Sequence, residues 1–279
     1  MARLYDDSLY EGAARHYLRG RLPYPQRLAT ALADHVQRDR FGRLLDVGCG
    51  PGSLTLLLAP LFAQVVAVDA DADMVQVASA EATRRGITNV RWLHAYAEDL
   101  DDALRPFDVV TLAQSFHWMD QPVVAANIRR LLGPQGCCVH VGAMTHRGDP
   151  DASDLPHPQP PHGEIGALVR RYLGPDRRAG RQTVSDPPPS GEEWVFRAAG
   201  FLGPDKIEVP GGDVSIRTAD EVVDAVLSLS SSAPHLFASR LGAFVSDLRS
   251  LLMSTSPDGL FAEQQQGITL SLWRLPNGR

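Results

Sequence analysis

The sequence predicts an α/β fold, a doubly wound and mostly parallel sheet, and three stretches predict it. Leu44-Leu45-Asp46-Val47 is a short apolar run that opens into a glycine-rich turn, Gly48-Cys49-Gly50-Pro51-Gly52, as a buried parallel strand does. Ser53 to Ala59 follows with helical composition, and Pro60 limits its length. Gln64-Val65-Val66-Ala67-Val68-Asp69 repeats the buried-strand pattern and ends in an acid. Strand, turn, helix and strand together make a βαβ unit, and such a turn sits where open α/β sheets bind nucleotides.

The spacing and charge of the turn separate two nucleotide classes. A dinucleotide turn reads G-x-G-x-x-G and faces a pyrophosphate. Here the third glycine comes one residue early, Ser53 holds its place, and Asp46 sets a carboxylate beside the turn. A carboxylate there repels a pyrophosphate and attracts a cation. S-adenosylmethionine carries an ammonium and a sulfonium and no phosphate, so the charge argument favours it over NAD. Asp69 serves the ribose in either class.

The remaining elements follow in order. Ala13, Ala14, Tyr17 and Leu18 fall at helical spacing, Pro23 and Pro25 interrupt, and a second helix runs through Leu28, Leu32 and Val36. Asp71 caps a helix that ends near Gly86. Residues 89–94 and Phe107 to Ala113 are the third and fourth strands. Asp120 caps a helix with Pro122 in its first turn, and residues 136–142 are the fifth strand, with Cys137 and Cys138 as core packing. Prolines crowd residues 146–190 around one helical piece, Ile165 to Leu173, the texture of a lid. Glu192 to Ala199 is a helix, Lys206 to Val209 a strand, and Thr218-Ala219-Asp220-Glu221 a capping box. A helix spans Leu236 to Leu252, and Ile268 to Trp273 alternates as an edge strand closing the sheet.

Residues 44–52, with Val66-Ala67-Val68-Asp69, resemble the first motif and the second-strand acid of class I S-adenosylmethionine-dependent methyltransferases. The chain is most similar to the branch that contains trans-aconitate methyltransferase and the ubiquinone/menaquinone-type enzymes, through residues 17–25 and Gln114-Ser115-Phe116-His117-Trp118-Met119-Asp120. The resemblance implies a seven-stranded Rossmann-like methyltransferase fold with helical cap and lid insertions. Within a single domain over 1–279 it implies an N-terminal helical cap over 1–40, a cofactor-binding core over 41–145, the lid over 146–190 and a helical substrate cap over 211–265. It places Tyr17 and Arg21 over the methionine end of S-adenosylmethionine, with Asp46, Gly48, Cys49 and Gly50 beneath that end. Asp69 and Ala70 meet the ribose, Met74, Ala97 and Glu98 the adenine, and Gln114 the reacting edge. The family has an acid where this chain has Tyr96, so Glu98, Asp99 or backbone near Ala97 takes the adenine amino group.

The resemblance implies methyl transfer to a small molecule, O-methylation first, with N- or C-methylation or a non-methylating pericyclic activity as alternatives. His117 stands on the loop after the fourth strand, where an acceptor hydroxyl would need its proton removed. It reads as the general base or as a residue that only orients substrate. Bland readings stand beside others: Tyr17 as packing, Arg21 as a solvated charge, Met74 as plain core.

Composition bounds the rest. A chain of 279 residues, 44% hydrophobic, can bury a full core. A net charge of −6 leaves no global basic footprint for nucleic acid. Three cysteines, two adjacent, suggest neither a disulfide framework nor zinc, and His146, His157 and His162 match no ligand spacing, so no metal is expected. With no membrane-length apolar run and no signal-peptide pattern at residues 1–7, a reduced cytoplasm is the expected compartment.

Overall fold

The computed structural model describes residues 6–36, 41–175, 178–179, 182–183 and 192–276. In chain order the strands are β1 (Phe41–Val47), β2 (Phe62–Asp69), β3 (Val90–His94), β4 (Phe107–Ala113), β5 (Leu132–Gly142), β6 (Arg178–Ala179), β7 (Gln182–Thr183), β8 (Leu202–Val209), β9 (Val214–Thr218), β10 (Leu260–Gln264) and β11 (Ile268–Arg274). The helices are α1 (Ala14–Gly20), α2 (Gln26–Val36), α3 (Ser53–Leu58), α4 (Ala72–Arg84), α5 (Gln121–Leu131), α6 (His162–Leu173), α7 (Glu192–Ala198), α8 (Ala219–Leu227), α9 (Pro234–Phe237) and α10 (Leu241–Thr255).

Seven strands form the central sheet in the order β3-β2-β1-β4-β5-β11-β8. The first five are parallel, and β11 runs antiparallel to both its neighbours. Both faces are covered, which is why β1, β2 and β4 read as continuous apolar runs. Leu44, Val65, Val109 and Val139 pack in one cluster with Leu28 and Leu32 of α2 and Leu54 and Leu58 of α3. Leu45, Val47, Val66, Val110 and Leu112 pack in another with Val124 and Ile128 of α5 and Phe196 of α7. The adjacent cysteines divide between the clusters, Cys137 to the first and Cys138 to the second.

The local signals act as chemistry requires. Asp71 caps α4 by accepting from the amides of Asp73 and Met74, at 2.8 and 3.2 Å, and Gly86 follows its end at φ 69°. Asp120 caps α5, and Thr218 and Glu221 form the reciprocal capping box of α8. Two expectations need correction. The predicted edge strand β11 is internal, with Leu270, Leu272 and Trp273 all buried. The edge is β8, whose Pro204, Asp205, Lys206 and Glu208 suit a side open to water. The predicted helix from Leu236 to Leu252 is broken at Ala238, φ 48°, into α9 and a longer α10.

The predicted lid helix and substrate cap form one layer, in which Ile165 and Leu168 of α6 pack with Val222, Val226, Phe244 and Leu248 of α8 and α10. The stretch 211–265 is not all helical, because β9 and β10 pair antiparallel within it. Pro187 to Pro189 of the predicted lid lie outside the described residues, as do residues 1–5 and 37–40 of the N-terminal cap. No described helix is long and apolar enough to cross a membrane.

α1 is clamped to α8. A Cβ on Gly20 would overlap the backbone of Asp224 and Ala225. His16 Nδ1 lies 2.7 Å from Asp224 Oδ1, and Arg21 donates to the Ser228 hydroxyl at 2.8 Å and to its carbonyl at 3.0 Å. Gly20→Ala therefore forces the two helices apart, with an expected cost of about 1–3 kcal/mol in thermal or denaturant unfolding.

Candidate cofactor and active site

The carboxyl ends of β1, β2 and β4 meet under α1 and enclose a cavity of about 980 Å3, counted to its open mouth. β1 delivers the glycine turn, and the amides of Gly48 and Cys49 both donate to the Val68 carbonyl of β2, at 2.8 and 3.0 Å. Ser115, beyond β4, donates to the Val47 carbonyl at 2.8 Å and occupies the space that a Cβ on Gly48 would need. At Gly50, φ 54°, a Cβ would meet no atom within 4 Å, so the backbone there lies open to whatever fills the cavity.

Two carboxylates define the floor. Asp46 is buried, and both its oxygens accept threonine hydroxyls, Thr55 at 2.5 Å and Thr111 at 2.7 Å. It ties β1, α3 and β4 together as well as lining the cavity. Asp69 accepts the Gly50 amide at 2.7 Å and the Asp71 amide at 2.9 Å. Burial pushes its carboxyl up to about 6, against these two amides, which favour the ionised form. With Glu98, three carboxylates line the cavity against one arginine, Arg21. That balance suits a cationic ligand and disfavours a pyrophosphate, and the open glycine backbone beside Asp69 fits an adenosine-type nucleoside with a positively charged tail.

All twelve residues expected at the cofactor line this cavity: Tyr17, Arg21, Asp46, Gly48, Cys49, Gly50, Asp69, Ala70, Met74, Ala97, Glu98 and Gln114. Arg21 stacks over the Tyr17 ring at 4.5 Å while its other contacts hold Ser228. Gln114 has φ 56°, a conformation costly for a residue with a side chain and typical of functional turns. Tyr96 also lines the cavity and donates to Asp7 at 2.5 Å, fastening the segment before α1 over it. Glu98 accepts the Asp120 amide at 2.8 Å, and Asp99 is not on the lining.

His117 is the exception. Residues Phe116–Trp118 form a single 3-10 turn, in which successive side chains point about 120° apart. Phe116 enters the core and stacks on Phe196 at 5.1 Å, Trp118 lines the cavity, and His117 is left exposed and off its lining. The histidine expected as general base therefore does not face the cavity.

Sequence reasoning missed Tyr10, Tyr24, Trp118, Met119 and Thr145 as lining residues. Tyr24 and Trp118 lie inside stretches that carried the resemblance, and their position was the available signal. Tyr10 had none, since only the folding of the N-terminal segment brings its ring edge-on to Trp118 at 6.5 Å. Burial raises the hydroxyls of both Tyr10 and Tyr24 above the ordinary tyrosine range, so both stay protonated as hydrogen-bond donors. Among the described residues no group of three or more histidine, cysteine or acidic side chains gathers as a metal site. His162 and His157 instead lie near Glu263 at 3.0 Å and Asp258 at 3.5 Å.

Residues 44–136 match the family model of a methyltransferase domain. The probable S-adenosylmethionine-dependent methyltransferase CRG1 of Saccharomyces cerevisiae is 29% identical over 124 residues, 43% of this chain and 42% of that protein. The ubiquinone biosynthesis O-methyltransferase of Cereibacter sphaeroides is 38% identical over 98 residues, 35% of this chain and 39% of that protein. The match thus spans about two fifths of these relatives' length. The solved structure of the N-methyltransferase NodS from Bradyrhizobium japonicum, in complex with S-adenosyl-L-homocysteine, shares the fold, with TM-score 0.51 and 14% identity over 97% of this chain and 100% of that one.

Proposed function

Because residues 44–136 form a class I S-adenosylmethionine-dependent methyltransferase domain, we propose that this chain transfers a methyl group to a small-molecule acceptor held beneath α1. The observation that carries the reading is the pairing of an open glycine backbone at Gly50 with the Asp69 carboxylate in one cavity. S-adenosylmethionine, when bound, supplies an electrophilic methyl group on a sulfonium. Asp69 would accept the ribose hydroxyls, Met74, Ala97 and Glu98 would border the adenine, and the turn from Gly48 to Gly50, with Asp46, Tyr17 and Arg21, would hold the methionyl end.

We assign the acceptor side to the loop after β4, where Gln114 and Trp118 line the cavity and Tyr10 stands edge-on to Trp118. The likeness to a ubiquinone biosynthesis O-methyltransferase puts O-methylation ahead of transfer to nitrogen or carbon, and Tyr10 and Tyr24, held protonated, are available as hydrogen-bond donors that orient the acceptor. They do not remove a proton. Catalysis therefore rests on alignment and on water exclusion by α1, and suits an acceptor that brings an available lone pair. Accordingly, His117→Ala is expected to leave the turnover rate within about threefold, where loss of a working base costs about a hundredfold or more. A loss of that larger size in steady-state kinetics would restore His117 as the base.

The first test is calorimetric titration with S-adenosylmethionine, S-adenosylhomocysteine and NAD. Both sulfur nucleosides should bind and NAD should not; failure of both to bind overturns the reading. Incubation with methyl-labelled cofactor and a panel of carboxylic, phenolic and amine acceptors then separates methyl transfer from binding without turnover.

A further inference from the structure

A second cavity, of about 1060 Å3 counted to its open mouth, lies beyond the wall of the first, between α6 and α8. The wall is thin. Buried Arg217 lines the second cavity and donates to the Gly20 carbonyl at 2.6 Å, and Gly20 leads directly into Arg21 of the first. Thr145 faces the first cavity and His146 the second.

The second lining has the opposite charge. Its one carboxylate, Glu263, is fully engaged, accepting the Gly148 amide at 2.8 Å, bonding His162 Nε2 at 3.0 Å and pairing with Arg217 at 2.5 Å. Arg147 and Arg170 stand exposed on the same lining without an ion pair or side-chain hydrogen bond among the described residues. Neighbouring arginines outside the cavity are paired, Arg171 with Asp247 and Arg249 with Asp220. Much of the remaining lining is hydrocarbon, with Ile165, Val169 and Leu173 of α6 in one apolar cluster with Val222 and Val226 of α8.

Gly166 adds an independent sign. It lies in the interior of α6, where glycine costs about 1 kcal/mol relative to alanine, and it lines the cavity. A Cβ there would touch only the Arg170 guanidinium, at 3.5 Å. Packing does not require a glycine here, and its absent side chain keeps the space open.

We propose that this second cavity binds an amphipathic anion, with a carboxylate or phosphate head at Arg147 and Arg170 and a hydrocarbon body between α6 and α8. Arg217 and Glu263, already neutralised by each other, form its floor. The site goes beyond the methyl-transfer reading, and its test reads binding directly at residues that do not line the first cavity.

Decanoate, decyl phosphate, decanol and inorganic phosphate are titrated calorimetrically, below any micelle concentration, into the full chain. At least one decyl anion should bind saturably at one site per chain, at least tenfold tighter than decanol or inorganic phosphate, and the stronger of the two identifies the head. Affinity should fall at least tenfold in Arg147→Gln/Arg170→Gln, which removes only exposed charge. It should fall likewise in Gly166→Leu, which fills the cavity, keeps every charge and favours the helix. The inference is overturned if neither decyl anion binds, if inorganic phosphate binds as well as they do, or if either variant binds them as wild type does.

Discussion

Asp69→Ala is expected to weaken S-adenosylmethionine binding at least about a hundredfold. The carboxylate would accept two ribose hydroxyls, and each hydrogen bond to a charged group contributes about 1.5–3 kcal/mol. The same change frees the Gly50 and Asp71 amides that Asp69 now holds, so the turn loosens as well. Calorimetric titration of the folded variant checks this, and affinity within about threefold of wild type would remove Asp69 from the site.

The position of this carboxyl on the pH scale sharpens the expectation. Its ordinary value is 3.8 and burial raises its folded value to about 6, so the carboxylate that accepts hydroxyls is half formed near pH 6 and predominates above it. Cofactor affinity should rise across pH 5–7 in wild type and stay flat over that range in Asp69→Asn. Stability of the ligand-free protein should move the other way. A carboxyl raised in the folded state adds stability below its unfolded value, and that contribution is lost as pH rises through about 6. The group that gains affinity above pH 6 does so at the expense of the empty fold.

Glu263→Gln should produce the largest loss of stability, about 3 kcal/mol, because it leaves the Arg217 guanidinium buried without its counter-charge. A fall in Tm of roughly 6–12 °C in calorimetry corresponds to that cost. Arg217→Met with Glu263→Leu, which removes both charges, should recover much of it. Burial opposes ionisation of Glu263, but His162, Arg217 and the Gly148 amide outweigh it and hold its carboxyl below the usual range. The stability it contributes is present above pH 4.5, the ordinary value, and is lost as pH falls through its lower folded value. The pair joins β9, β10, the start of α6 and the end of α1, so its loss should be felt across the whole cap.

Much of the cofactor cavity was legible in the sequence because its parts are local. A parallel strand buried on both faces has to be a short apolar run, a backbone that takes φ 54° with nothing above it has to be glycine at Gly50, and an acid ending the next strand lands one pairing step away. Asp71, Asp120 and Thr218 announced their helices for the same reason, since a cap bonds only to amides two or three residues on.

What depended on distant partners was not legible. Whether β11 lies inside or at the edge depends on β8 arriving beside it, and alternation along β11 alone is the same in either case. Which of Phe116, His117 and Trp118 faces the cavity was decided by the pitch of one 3-10 turn and by Phe196, 80 residues away, claiming Phe116 for the core. Tyr10 reached the site only because the segment before α1 folds over the cavity, where Tyr96 holds Asp7 and Trp118 meets the Tyr10 ring. The second cavity arises where α6, α8 and β10 converge from three separate stretches. The sequence by itself determined a glycine turn, two acids and the parallel core that presents them, because each is fixed by residues close along the chain. Only the tertiary structure decided which side chains close over them, because that is fixed by packing between stretches that no spacing in the sequence relates.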